Sequence, residues 1–130
     1  MKKPTRKNVS SVIVTDKHIQ LIGLLSADSV QKNGSEHNSS EAWKSQAQRV
    51  FEKLSNLAAA FKFAPQQIVG MTIMFRGAEK EYQEYVKIYF NFFFRGINRP
   101  PTAVLSAVAL PNSSLIAMDV IVRKKSGAAS

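Results

Sequence analysis

Apolar positions recur along this chain with two periods, and the switch between them marks out its elements. Residues 10–15 (SSVIVT) and 18–26 (HIQLIGLLS) are short, apolar and β-branched, as strands are, and Asp16-Lys17 between them suits a tight hairpin turn. Residues 27–40 are polar, hold Asn33-Gly34 and read as a loop. Ser39 or Ser40 can then cap a helix, with Glu41 near its positive end. Trp43, Ala47, Val50, Leu54, Leu57 and Phe61 recur at intervals of four and three, one face of an amphipathic helix. Phe63-Ala64-Pro65-Gln66-Gln67 breaks that helix. Residues 68–75 (IVGMTIMF) form a third strand, apolar on both faces.

A second helix begins at Ala78 or Glu79 and runs to about Phe93. Seven of the 12 aromatic residues lie between Tyr82 and Phe94. Tyr82, Tyr85, Tyr89 and Phe92 make one stripe, whereas Phe90 and Phe94 project away from it. One sheet face cannot cover all of these. The pattern predicts burial of the helix end beneath residues 95–101 or against another subunit.

Residues 98–122 (NRPPTAVLSAVALPNSSLIAMDVIV) read as two strands joined by a tight turn. Pro100-Pro101 cannot sit inside a central strand, Thr102 to Ala109 is an apolar run of strand length, and Pro111-Asn112-Ser113-Ser114 is turn chemistry. In the last strand Asp119 shares a face with Ala117 and Ile121, while Ile116, Met118, Val120 and Val122 face the other way. A lone carboxylate there sits at a sheet end, is paired, or lines a pocket.

The order is therefore strand, strand, helix, strand, helix, strand, strand (ββαβαββ). Two amphipathic helices on one face of an antiparallel or mixed sheet make a two-layer α+β domain. An RNA-recognition domain requires another order and an aromatic signature strand. The 130 residues, 45% hydrophobic, suffice for one domain, expected over residues 9–122, with a basic arm at 1–8 and a basic tail at 123–130.

Charge changes the picture less than its total suggests. Of 18 cations, seven lie in the tails (Lys2, Lys3, Arg6, Lys7, Arg123, Lys124 and Lys125), leaving 11 against nine anions between them. Basic tails bind polyanions in a salt-dependent way, so RNA or the ribosome is a candidate partner through these seven residues. No apolar run approaches the ~18 residues of a membrane span, and the basic start lacks the apolar core of a secretory signal. The expected location is cytoplasmic, with a mitochondrial address as the alternative because no acid precedes Asp16. There is no cysteine, and His18 and His37 stand alone, so neither a metal site nor a cofactor is implied.

The pattern resembles the Rid family, also called the YjgF family, of enamine and imine deaminases, over roughly residues 9–122. Ile22-Gly23-Leu24 stands where the family has Ser-Gly-Gln. Gln46 and the helix through Leu54 and Leu57 are similar to the Gln-rich first family helix. Residues 68–75 match the central strand, and Tyr89, Phe92 and Phe93 resemble a Tyr-x-x-Phe-Phe helix end. The block from Asn98 to Leu110-Pro111 resembles the Pro-Ala-Arg block that ends in Leu-Pro, and residues 115–122 the closing strand of alternating acids and aliphatics. The resemblance implies a chorismate-mutase-like sandwich, assembled as a homotrimer with pockets between subunits.

The chemistry that the resemblance implies is depleted here. The deaminating members hold the substrate carboxylate with an arginine, whose bidentate fork suits it. Counted back from Leu110-Pro111, that position is Thr102, with Arg99 three residues earlier as a substitute. The pocket tyrosine falls on Val9, the serine on Ile22 beside Gly23, and the second-helix asparagine on Val86. The acid that positions water survives as Asp119. The expectation is a Rid-like protein without standard 2-imino acid deaminase activity, binding a less acidic small molecule or a partner at intersubunit pockets. An active deaminase using Arg99 is the first alternative. An RNA- or translation-associated protein is the second, since some relatives carry endoribonuclease or translation-inhibitor labels. No pair of histidines for RNA cleavage is visible.

Overall fold

The structure, a computed structural model, describes residues 9–26, 40–76, 80–107, 109–111 and 114–125. The elements follow the expected order: β1 (Val9–Val14), β2 (His18–Leu25), α1 (Ser40–Phe61), β3 (Ile68–Arg76), α2 (Lys80–Phe93), β4 (Thr102–Ala107) and β5 (Ile116–Arg123), with a short 3-10 turn at Pro65–Gln67. The strands form one mixed sheet in the order β1-β2-β5-β3-β4, and both helices cover one of its faces. The loop read at residues 27–40 lies outside the described residues apart from Ser40, as do the basic arm and residues 126–130.

Local chemistry explains the turns. Between β1 and β2 the Thr15 N–H donates to the His18 carbonyl at 2.9 Å, and the His18 N–H donates back to Thr15 Oγ1 at 3.0 Å. This closes the hairpin expected at Asp16-Lys17. At the start of the last connection the Ser114 N–H donates to the Pro111 carbonyl at 3.0 Å.

That second turn does not make a hairpin, which corrects the reading of residues 98–122. β4 pairs with β3 in parallel, from Met71 beside Thr102 to Arg76 beside Ala107. β5 lies on the other side of β3, antiparallel to it and to β2. The helix α2 returns the chain to the start of β3, so β4 must run the same way as β3. The chain then passes the far end of β3, where the Arg76 N–H donates to the Leu115 carbonyl at 2.9 Å, and β5 enters the middle of the sheet.

The core fills the space between helices and sheet. Trp43, Ala47, Val50, Leu54 and Leu57 of α1 are buried, with Phe61 partly covered. Opposite them lie Leu21, Met71, Ile73, Phe75, Met118, Val120 and Val122. The aromatic stripe of α2 is turned from its expected setting. Phe94 is fully buried and Phe90 packs on the core, 4.8 Å from it between ring centroids, whereas Phe92 is 63% exposed. Two helices lie side by side on the sheet, so α2 must satisfy α1 as well. Phe51 meets Phe90 edge-on at 6.4 Å and Phe93 at 6.0 Å, so one side of the helix end packs within the subunit while Ile88 and Phe92 stay exposed.

Candidate functional site

The face of the sheet that carries no helix is where the candidate residues meet, and strand register orders them into rows. One row runs Ile13, Gln20, Ile121 and Gly70. The next holds Ser11, Ile22, Asp119, Thr72 and Ala103, and another Leu25, Ala117, Met74 and Leu105. Asp119 is the one ionisable side chain in these three rows. Ile13, Ile22, Leu105 and Ile121 are each at least one-third exposed.

Asp119 is held by a defect in the ladder. Between Leu21 and Leu24 the register of β2 against β5 shifts, so Ile22 and Gly23 together oppose Asp119. Gly23 takes a φ of 75°, a left-handed setting that favours a residue without Cβ. Its N–H, turned out of the ladder, donates to Asp119 Oδ1 at 2.9 Å. Asp119 is thus paired in mid-sheet rather than at a sheet end. The half-buried carboxylate holds the bulge through Oδ1, and among the described residues no donor reaches Oδ2.

Beside Asp119 lies an open groove of about 430 Å³, lined by Gly70, Met71, Thr72, Pro101, Thr102, Ala103, Asp119 and Ile121. Small residues make it. A Cβ added at Gly70 would meet nothing within 4 Å, and Thr72 and Ala103 are its neighbours across β3 and β4. Asp119 supplies one carboxylate, Thr72 a hydroxyl, and among the described residues no cation lines the space.

The other positions expected to form a pocket scatter. Thr102 borders the groove, yet it pairs with Met71 of the helix-covered face, and its hydroxyl donates to the Pro100 carbonyl at 2.9 Å. The neighbour of Thr72 in Asp119's row is Ala103. Val9 is buried core opposite Leu24. Val86 is a buried residue of α2 and edges a separate groove of about 310 Å³ with Ile73, Phe75 and Val104. Arg99 donates from Nε and a terminal nitrogen to Asn91 Oδ1 at 3.2 and 3.0 Å, and does not line the Asp119 groove. The tail cations Arg123 and Lys124 lie at the end of β5, by the hairpin turn.

Two buried polar side chains were not singled out as such by the helix pattern. Gln46, 4% exposed, accepts from Ser26 Oγ at 2.5 Å and from the Leu115 N–H at 2.8 Å, while Ser26 Oγ accepts from the Ile116 N–H at 3.0 Å. Lys53 is buried too and donates to the Leu25 carbonyl at 2.7 Å. The signal was available: both lie three residues after a stripe residue, Trp43 or Val50, and so share its face. A larger groove of about 880 Å³ runs between the helices, floored by Phe51, Tyr89 and Phe93. Among the described residues no group of histidines, cysteines and acids could hold a metal ion. Among the described residues no helix is long and apolar enough to cross a membrane.

No protein-family model and no curated protein matches the chain. Solved structures do match. The Rid-family protein YyfA of Yersinia pestis, described as of unknown function, superimposes with a TM-score of 0.70 at 18% identity, over 91% of this chain and 94% of that one. RidA of the Antarctic bacterium Psychrobacter gives 0.71 at 15%, over 95% and 97%. A "probable translation initiation inhibitor" of Rhodopseudomonas palustris gives 0.72 at 16%, over 95% and 96%. At these identities the likeness is one of architecture: this chain has the α+β fold of Rid-family proteins.

Proposed function

We propose that this protein is a divergent Rid-family member whose open sheet face is covered by further copies of itself, as a homotrimer, and whose groove takes a small ligand without a carboxylate. The observation that carries the reading is the charge of the groove. Among the described residues its one acidic or basic side chain is Asp119, so an anionic 2-imino acid would meet a carboxylate where capture needs a cation. Arg99, the candidate replacement, is engaged with Asn91 and lies outside the lining, which disfavours the deaminase alternative. Self-association is supported by the exposed apolar side chains of the open face, Ile13, Ile22, Leu105 and Ile121. The likeness of fold to Rid-family structures supports the same assembly.

Asp119 retains the means to orient a water or a ligand N–H through Oδ2. A neutral or cationic ligand with an N–H donor is the chemical class that this arrangement favours. Thermal shifts with matched 2-oxo acids, their amides and the corresponding amines test it. Stabilisation by the amides or amines alone is expected, and stabilisation by the acids at equal concentration contradicts the reading.

A further inference from the structure

The sheet ends in a basic surface built by three separate parts of the chain. His18 pairs with Arg123, and the Lys124 N–H donates to the Lys17 carbonyl at 2.8 Å. Gln67 Nε2 donates to the Arg123 carbonyl at 3.1 Å, bringing the turn after α1, and with it Lys62, to the same end. Lys17, Lys62, Arg123 and Lys125 are exposed and Lys124 is half-exposed. One carboxylate, Asp16, belongs to this end, and among the described residues none of the five cations lies within ion-pair distance of an acid. Thr15 and Gln66 add exposed polar donors.

The described chain begins at the opposite end of the sheet. Val9 pairs with Leu24, six residues along β2 from His18, roughly 20 Å away. Lys17 and Lys62 therefore stand with Arg123 and Lys124 at the other end.

We propose that this end of the sheet binds the phosphate backbone of a nucleic acid. Lysine and arginine with threonine and glutamine donors are the groups that hold phosphate oxygens without reading sequence. A membrane surface fits less well, because the segments that build this end, residues 15–18, 62, 66–67 and 123–125, carry no phenylalanine, tyrosine or tryptophan to enter a bilayer interface. Binding is electrostatic, with an affinity of about 10⁻⁴–10⁻⁶ M near physiological salt, falling steeply as salt rises.

The test is fluorescence anisotropy of the full chain with a labelled single-stranded RNA across a series of KCl concentrations. Variant K17A/K62N removes two cations outside the tails, and asparagine accepts the left-handed φ of 60° found at Lys62. The variant is expected to bind several-fold more weakly and to lower the salt slope by about 1.4, two phosphate contacts' worth. R123Q provides a second reading and should weaken binding likewise. The proposal is overturned if both variants keep natural affinity and slope. It is equally overturned if K2A/K3A abolishes binding while K17A/K62N does not, or if phosphatidylserine vesicles bind where RNA fails.

Discussion

The Asp119 carboxylate accepts the Gly23 N–H at 2.9 Å, joining residues 96 positions apart across the bulge in β2. The bond fixes the acid at the edge of the groove and satisfies an N–H that the bulge removes from the ladder. Asp119→Ala should cost about 1–2 kcal/mol of stability. Asp119→Asn, which keeps an acceptor, should cost much less. Gly23→Ala, forcing a Cβ into a left-handed backbone, should also cost about 1–2 kcal/mol. Urea unfolding of the three variants checks this.

Gly70 makes room for the groove and nothing crowds it. Gly70→Leu should therefore fill the space beside Asp119 while leaving the melting temperature within a few degrees of natural. Loss of the ligand-induced thermal shift, with the fold intact by circular dichroism, is the expected outcome.

Gln46 ties α1 to the ends of β2 and β5 through Ser26 and Leu115. Replacing it by leucine leaves the Ser26 hydroxyl and the Leu115 N–H without their acceptor in the interior. A loss of about 3 kcal/mol is expected, read by denaturant unfolding. That exceeds what an exposed glutamine such as Gln48 should show on the same substitution.

Ile121 stands 40% exposed in the middle of the helix-free face. If that face is the interface between copies, Ile121→Arg should shift sedimentation from trimer to monomer at micromolar concentration. An unchanged sedimentation coefficient would place the interface elsewhere.

Much of this fold was legible because its elements keep a clean period. The α1 stripe from Trp43 to Leu57 and the alternation about Asp119 in β5 both appear in the structure as the sequence spacing implies. Strand neighbours were not legible. The turn at Pro111–Ser114 has hairpin chemistry, but turn residues fix the local bend and not which strands pair across it. The bulge at Ile22-Gly23 was equally hidden, since it depends on the register of β5. Counting back from Leu110-Pro111 names Thr102, which borders the groove, and the pairing of Thr72 with Asp119 and with Ala103 adds Ala103 beside it.

The most direct measurement is hydrolysis of 2-iminopropionate, generated in situ, by this protein beside an arginine-bearing Rid-family deaminase at equal concentration. The account predicts background rates for this chain, because among the described residues Asp119 is the groove's one acidic or basic side chain and no cation stands there to capture the substrate carboxylate. Turnover comparable to that of the arginine-bearing protein would contradict it.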